Sequence, residues 1–168
     1  MNYHDIKHDD LLNGDGIRVT LFVSGCTHKC PECQNPQTWS YESGIKFDEK
    51  AQEEIFNELS KDYIQGITLS GGDVFAPKNA PEVYSFVLTL KEKFPDKDIW
   101  AYTGYTFDEL VFNENFQSLL LKKIDVLVDG TYQKDLRDTN LKWRGSKNQR
   151  VIDVQETLRK ACICLHCD

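Results

Sequence analysis

The sequence has little proline, no low-complexity tract, no excess of positive charge and no long apolar run, and each shortage removes a class of function. With five prolines among 168 residues, 40% hydrophobic residues and 11% aromatics, the chain can bury a core and has no stretch that reads as disordered. A formal net charge of −7 leaves no broad basic face for a polyanion, so nucleic acid is not expected as a general partner. No window approaches the ~18 apolar residues of a membrane span. The start, "MNYHDIKHDDLLNGDGIR", has no apolar segment flanked by positive charge, so it does not read as a targeting signal. A cytoplasmic protein with one main domain is expected, because ~100–200 residues is the usual size of a single core.

What is present is cysteine, six in all, in two groups. Cys26, Cys30 and Cys33 lie in "GCTHKCPEC", whereas Cys162, Cys164 and Cys167 lie in the closing "ACICLHCD". In a chain that is not secreted, such cysteines point to metal, cluster or redox chemistry before a disulfide framework.

Strand and helix signals alternate along the chain. "GIRVTLFVSG" (16–25), "GITLSGGD" (66–73), "KDIWAYTG" (97–104) and "IDVLVDG" (124–130) read as short buried strands ending in glycine. Between them, 47–63, 80–95 and 106–123 carry helical stripes, the second stopped by Pro95 and the third with a possible break near Asn113. The order βαβαβαβ predicts an α/β fold with a parallel sheet, either a partial barrel or an open doubly wound sheet. In both, functional loops gather at the carboxyl ends of the strands. "GCTHKCPEC", "SGGD", "YTGYT" and "VDG" all fall there. No linker divides the chain, so residues 1–160 read as one domain and 161–168 as a cysteine-rich tail.

The first cysteine group supplies three thiols at unequal spacing and no fourth nearby. Structural zinc takes four protein ligands, usually from paired knuckles, and would here need His28 or a tail cysteine. A cubane iron-sulfur cluster held by three cysteines keeps one iron free for another ligand. A zinc-stabilised or cluster-based binding module without further chemistry stays open at this point.

The spacing CxxxCxxC, set after a strand and followed one βα unit later by "SGGD", resembles the radical S-adenosylmethionine superfamily. Alone, the GGD would pass for an ordinary turn. The resemblance narrows to the activating proteins of anaerobic ribonucleoside-triphosphate reductase, through "NGDGIRVTLFVSGCTHKCPECQNPQTW", "QGITLSGGDVFAPKN", "KDIWAYTGYTFDEL", "VLVDG" and "LKWRGSKNQRVID". It implies a shortened partial (β/α) barrel with a mainly parallel sheet, and a 4Fe-4S cluster on Cys26, Cys30 and Cys33. S-adenosylmethionine would bind the open iron and be split to a 5′-deoxyadenosyl radical that takes hydrogen from a glycine of the reductase's large subunit. A low-potential electron donor such as flavodoxin would be a further partner. The activases of pyruvate formate-lyase type share this chemistry but are normally longer.

The same resemblance assigns Glu32, Cys33 and Gln34 to the adenine end of the cofactor, and Gly71, Gly72 and Asp73 to its methionyl part. Asp129 reads equally as a cofactor contact or as a turn carboxylate. Arg144, Asn148 and Arg150 could meet the cofactor's carboxylate, the partner or each other, and arginine suits a carboxylate through two parallel bonds. Tyr102, Tyr105, Trp39 and Trp143 could pave the site, while Trp39 and Trp100 read better as packing. His28 is expected to be exposed.

The chain departs from the family's pattern at several positions. Glu32 stands where the family often has glycine, Gln34 where tyrosine is common, Val74 where proline is usual and Asp15 in place of a proline. For the tail, zinc, a second cluster, a thiol shuttle or incidental thiols all remain open.

Overall fold

The computed structural model describes residues 1–167; Asp168, the end of the tail expected at 161–168, lies outside the described residues. Its centre is the alternation read from the sequence. Strands β2 (Ile17–Val23), β4 (Ile64–Gly71), β5 (Asp98–Tyr102) and β6 (Val126–Asp129) lie side by side, with α1 (Glu49–Leu59), α2 (Ala80–Lys93), α3 (Phe107–Val111) and α4 (Phe116–Leu121) between them in sequence. Parallel register sets Leu21 beside Leu69, Ile67 beside Ile99 and Ala101 beside Leu127. These side chains are fully buried in the core.

Local chemistry fixes the helix starts. The Asp48 carboxylate accepts from the Ala51 N–H at 3.0 Å and begins α1. Thr106 and Glu109 form a reciprocal capping box on α3. The break expected near Asn113 is real, because Asn115 accepts from the Gln117 N–H at 2.9 Å and starts a new helix, α4.

The sheet has eight strands in the order β3-β1-β2-β4-β5-β6-β7-β8, adding β1 (Asn2–Asp10), β3 (Ile45–Lys46), β7 (Arg150–Asp153) and β8 (Leu165–Cys167). The expectation of a mainly parallel sheet needs correction. β2–β4, β4–β5 and β5–β6 are parallel, but β1–β2, β1–β3, β6–β7 and β7–β8 are antiparallel. The reason is connectivity: no crossover helix lies between β1 and β2 or between β6 and β7, and a chain that returns without one must pair antiparallel. After β7, α5 (Val154–Lys160) turns at Ala161, which takes a left-handed φ of 54°, and delivers β8 to the sheet edge.

The main core packs on one face of the sheet and includes Phe47, Ile55, Leu59, Phe75, Val87 and Leu90, while Trp100, Val126, Val128 and Val151, of the opposite strand alternation, form a second, smaller cluster. Trp100 is 1% exposed and packs edge to face with Trp143 at 5.8 Å, so the packing reading holds for it. Arg18 is also fully buried. Its guanidinium donates to Thr68 Oγ1 (2.8 Å), to the carbonyls of Ile67 (2.9 Å) and Asp15 (2.9 Å), and to Asp98 (2.5 Å).

Candidate functional site

The cysteine loop leaves β2 at Ser24 and Gly25. Gly25 has φ 104°, and a side chain there would run into the Tyr41 ring. The chain returning after the short turn Pro36–Thr38 holds the loop's entry, through Gly25 N–H to the Thr38 carbonyl (2.7 Å) and Cys26 N–H to the Trp39 carbonyl (3.0 Å). Within the loop, Cys33 N–H bonds the Cys30 carbonyl at 3.1 Å, and Lys29 and Glu32 take left-handed φ values of 48° and 56°. The second of these is a position where glycine is free of strain.

Cys26, Cys30 and Cys33 line one cavity of about 520 Å³ together with Gly71, Gly72 and Asp73. Burial, with the Asp73 charge adding to it, pushes the Cys26 thiol up to about 11, and burial also raises that of Cys30. Opposing this, the backbone amides of His28 and Lys29 near Cys26, and of Tyr132 near Cys30, act to lower the two thiols. The Asn35 N–H reaches the Cys33 sulfur at 3.3 Å. N–H groups directed at sulfur favour the thiolate, the form that binds metal.

The GGD turn is pressed against this loop. Gly72 N–H donates to the Val23 carbonyl and Asp73 N–H to that of Gly25, both at 2.8 Å. A β-carbon on Gly72 would stand 2.5 Å from the Gly25 carbonyl oxygen, so glycine here permits the close approach of two backbones. The Asp73 carboxylate, 1% exposed, accepts from Phe75 N–H (2.9 Å), Thr103 Oγ1 (2.9 Å) and Gly104 N–H (3.0 Å), and bonds His28 Nε2 (2.9 Å). Cys26, His28 and Asp73 bring three possible metal-binding atoms within 4.8 Å of one another.

His28 is therefore not exposed as expected. Its side chain is 16% exposed, wedged between Asp73 and the edge of Tyr105. The bond to Asp73 outweighs burial and raises its pKa.

Of the residues assigned to the cofactor, Cys33, Gln34, Gly71, Gly72 and Asp73 line the cavity. Glu32 faces outward and pairs with Lys134 at 2.7 Å. Asp129 lies beside a neighbouring cavity of about 440 Å³, which shares His28, Gly104 and Gly130 with the first. It accepts from the Phe107 N–H (2.8 Å) and is held by Arg150 through Nε (3.1 Å) and Nη2 (2.6 Å). That ion pair raises the pKa of Arg150.

Arg144 donates to the Gln149 carbonyl and Asn148 to the Thr131 carbonyl, while Arg144 Nε and Asn148 Oδ1 are buried without a hydrogen-bond partner. Tyr102 and Trp143 line the first cavity and Tyr105 the second, whereas Trp39 lines neither.

Sequence reasoning missed Asn79 and Thr103. Asn79 is the N-cap of α2, yet its side chain makes no capping bond to that helix. Its Nδ2 instead donates to the carbonyls of Ser24 (2.9 Å) and Asp73 (3.0 Å), bracing the cysteine loop against the GGD turn.

Residues 12–152 match the family described as a 4Fe-4S single cluster domain. Across 153 residues the chain is 46% identical to the anaerobic ribonucleoside-triphosphate reductase-activating proteins of Haemophilus influenzae and of Escherichia coli strain K12, covering 90% of this chain and 97% of each of them. The protein of that name from Enterobacteria phage T4 is 46% identical over 151 residues, covering 90% of this chain and 93% of its own.

Proposed function

Since the chain belongs to the family of anaerobic ribonucleoside-triphosphate reductase-activating proteins, we propose that it makes a glycyl radical on the large subunit of such a reductase by radical S-adenosylmethionine chemistry. The observation that carries this reading is the cavity lined by Cys26, Cys30 and Cys33 beside Gly71 and Gly72. The donor set fits a 4Fe-4S cluster: three thiols share one cavity, the Asn35 N–H reaches the Cys33 sulfur, and in the tail the Cys164 carbonyl is tied to Asp153 beside the start of β6, the end away from the cysteine loop. When bound, such a cluster supplies one electron to split the sulfonium of S-adenosylmethionine into methionine and a 5′-deoxyadenosyl radical.

The chain's own residues bind and orient. Cys26, Cys30 and Cys33 hold the cluster as thiolates, after giving up the protons that burial favours. Gly71 and Gly72 leave the backbone bare on the methionyl side. Arg144, whose buried Nε lacks a partner, is a suitable donor for a carboxylate at the cavity wall. Asp73 acts through His28, Thr103 and Gly104, fixing the wall that separates the two cavities.

Residues 1–160 form the catalytic domain in this reading, a shortened barrel whose parallel run β2-β4-β5-β6 carries the site. No helix among the described residues is long and apolar enough to cross a membrane. In this reading the protein works in the cytoplasm, beside a low-potential electron donor such as flavodoxin.

Anaerobic reconstitution tests the reading. The reduced brown protein should convert S-adenosylmethionine to 5′-deoxyadenosine and methionine. With the reductase subunit it should give a glycyl radical doublet by electron paramagnetic resonance. A colourless zinc protein that does not cleave the cofactor would reject it. A doublet with a formate-lyase partner alone would reassign the partner.

A further inference from the structure

Two leucines next to each other stand in water beside the cysteine cavity. Leu11 is 62% exposed and Leu12 is 72% exposed, and Leu12 lines the cavity. Apolar side chains on a surface turn usually signal slack backbone, but this turn is fixed from below by two buried charges.

Asp10, fully buried at the end of β1, accepts from the Leu12 N–H (2.9 Å), from Asn13 Nδ2 (2.5 Å) and from Thr20 Oγ1 (2.6 Å). Arg18 reaches the Asp15 carbonyl, and Thr68 Oγ1 donates to the Asn13 carbonyl at 2.6 Å. Neither leucine belongs to the core clusters. Folding therefore gains little from leucine at these positions, while the turn beneath them is held by hydrogen bonds to buried groups. Rigid apolar surface at the edge of a reaction cavity lowers the ordering cost of binding and gives a partner an anchor.

We infer that Leu11 and Leu12 form a docking lip for the polypeptide segment that carries the reacting glycine, gripping an apolar side chain near that glycine. The inference rests on the proposed function, because it assumes that the substrate is a protein. Continuity selects this occupant. Leu12 lines the same cavity as the three cysteines, so a chain that delivers its glycine into that cavity brings the flanking residues close to the lip. Leu141 lines the cavity too and extends the apolar rim.

The test uses the reconstituted full chain and the purified reductase subunit, comparing the parent with L11S/L12S and L11M/L12M. Iron per chain and the unfolding midpoint serve as controls that the variants fold. The serine pair should raise the dissociation constant for the reductase at least tenfold and lower the radical formed per cofactor cleaved. The methionine pair, apolar and of similar size, should stay within about threefold of the parent. Serine-pair binding equal to the parent's would overturn the inference. So would a methionine pair weakened as much as the serine pair, since that would implicate the turn's shape and not its apolar surface. Failure of the parent itself to give a glycyl radical with the reductase would overturn the proposed function and the lip with it.

Discussion

His28 Nε2 and Asp73 Oδ2 lie 2.9 Å apart, and this bond fastens the middle of the cysteine loop to the end of β4. The same carboxylate takes the Thr103 hydroxyl and the Gly104 N–H from the end of β5. One buried acid thus joins three strand ends, and the relative placement of the cysteines and glycines depends on it.

Replacing Asp73 should accordingly cost more than a surface acid would. Asp73→Ala leaves the Phe75 N–H and the Thr103 hydroxyl short of a partner at a buried position, so a loss of roughly 2–6 kcal/mol is expected from ~1–3 kcal/mol per stranded group. Asp73→Asn keeps the shape and one acceptor oxygen and should lose about half as much. Urea unfolding of the iron-free chain measures both, and an alanine variant as stable as the parent would remove Asp73 from this role.

Two glycines at the rim separate space from strain. Gly72→Ala puts a β-carbon 2.5 Å from the Gly25 carbonyl oxygen, so either the GGD turn or the entry to the cysteine loop must move. Gly130→Ala meets nothing closer than 3.8 Å and pays only for its φ of 91°, roughly 1–2 kcal/mol. Iron retained after anaerobic reconstitution should fall severalfold for G72A and stay near the parent's for G130A. Equal retention would show that contact with Gly25 does not hold the cysteines in place.

The central strands, the helices and the cysteine cavity were legible because period and punctuation coincide there. "VTLFV" and "ITLS" are β-branched or aromatic runs ending in glycine, and Asn115 and Thr106 stand where helices begin. β1 was not legible: "NYHDIKHDD" buries only Tyr3, Ile6 and Asp10, and its acid is held by Thr20 of β2, a partner that only the paired strands bring to it. His28 was misjudged and Asn79 was missed for a related reason. Each is a polar residue outside any strand or helix signal, and only the packing of the GGD turn on the loop reveals that its side chain points inward.

Ionisation at Asp10 sets an acid limit on the turn beneath the leucine lip. Burial pushes its carboxyl up, but hydrogen bonds from Thr20, Asn13 and Leu12, with the charge of Lys7, outweigh that and hold its pKa below the ordinary value. A carboxyl lowered on folding contributes stability that is complete above its unfolded pKa and is lost as pH falls through the lower folded value. Asp10→Asn should therefore be less stable than the parent by about 1–3 kcal/mol at pH 7, with the gap closing as pH falls through the lowered folded value of Asp10. Urea midpoints for both proteins at several pH values give the gap, and one independent of pH would mean that charge at Asp10 does not matter.

The tail's three cysteines invite a second metal site, but its geometry points to packing. The Cys164 carbonyl accepts from the Asp153 N–H, and Asp153 pairs with Val126 at the start of β6, while the cysteine cavity lies beyond the strand ends. Further along, His166 bonds Asp15 at 2.6 Å and meets the Trp100 ring edge to face at 5.1 Å, and Cys167 pairs with Val151. A chain ending at Lys160 should bind as much iron as the parent. It should also unfold earlier, by roughly 1–3 kcal/mol, because Trp100 and Val151 lose the cover of β8. Metal analysis beside urea unfolding tests both halves: less iron or zinc per chain would put a tail thiol among the ligands, and an unchanged midpoint would deny β8 its share in packing.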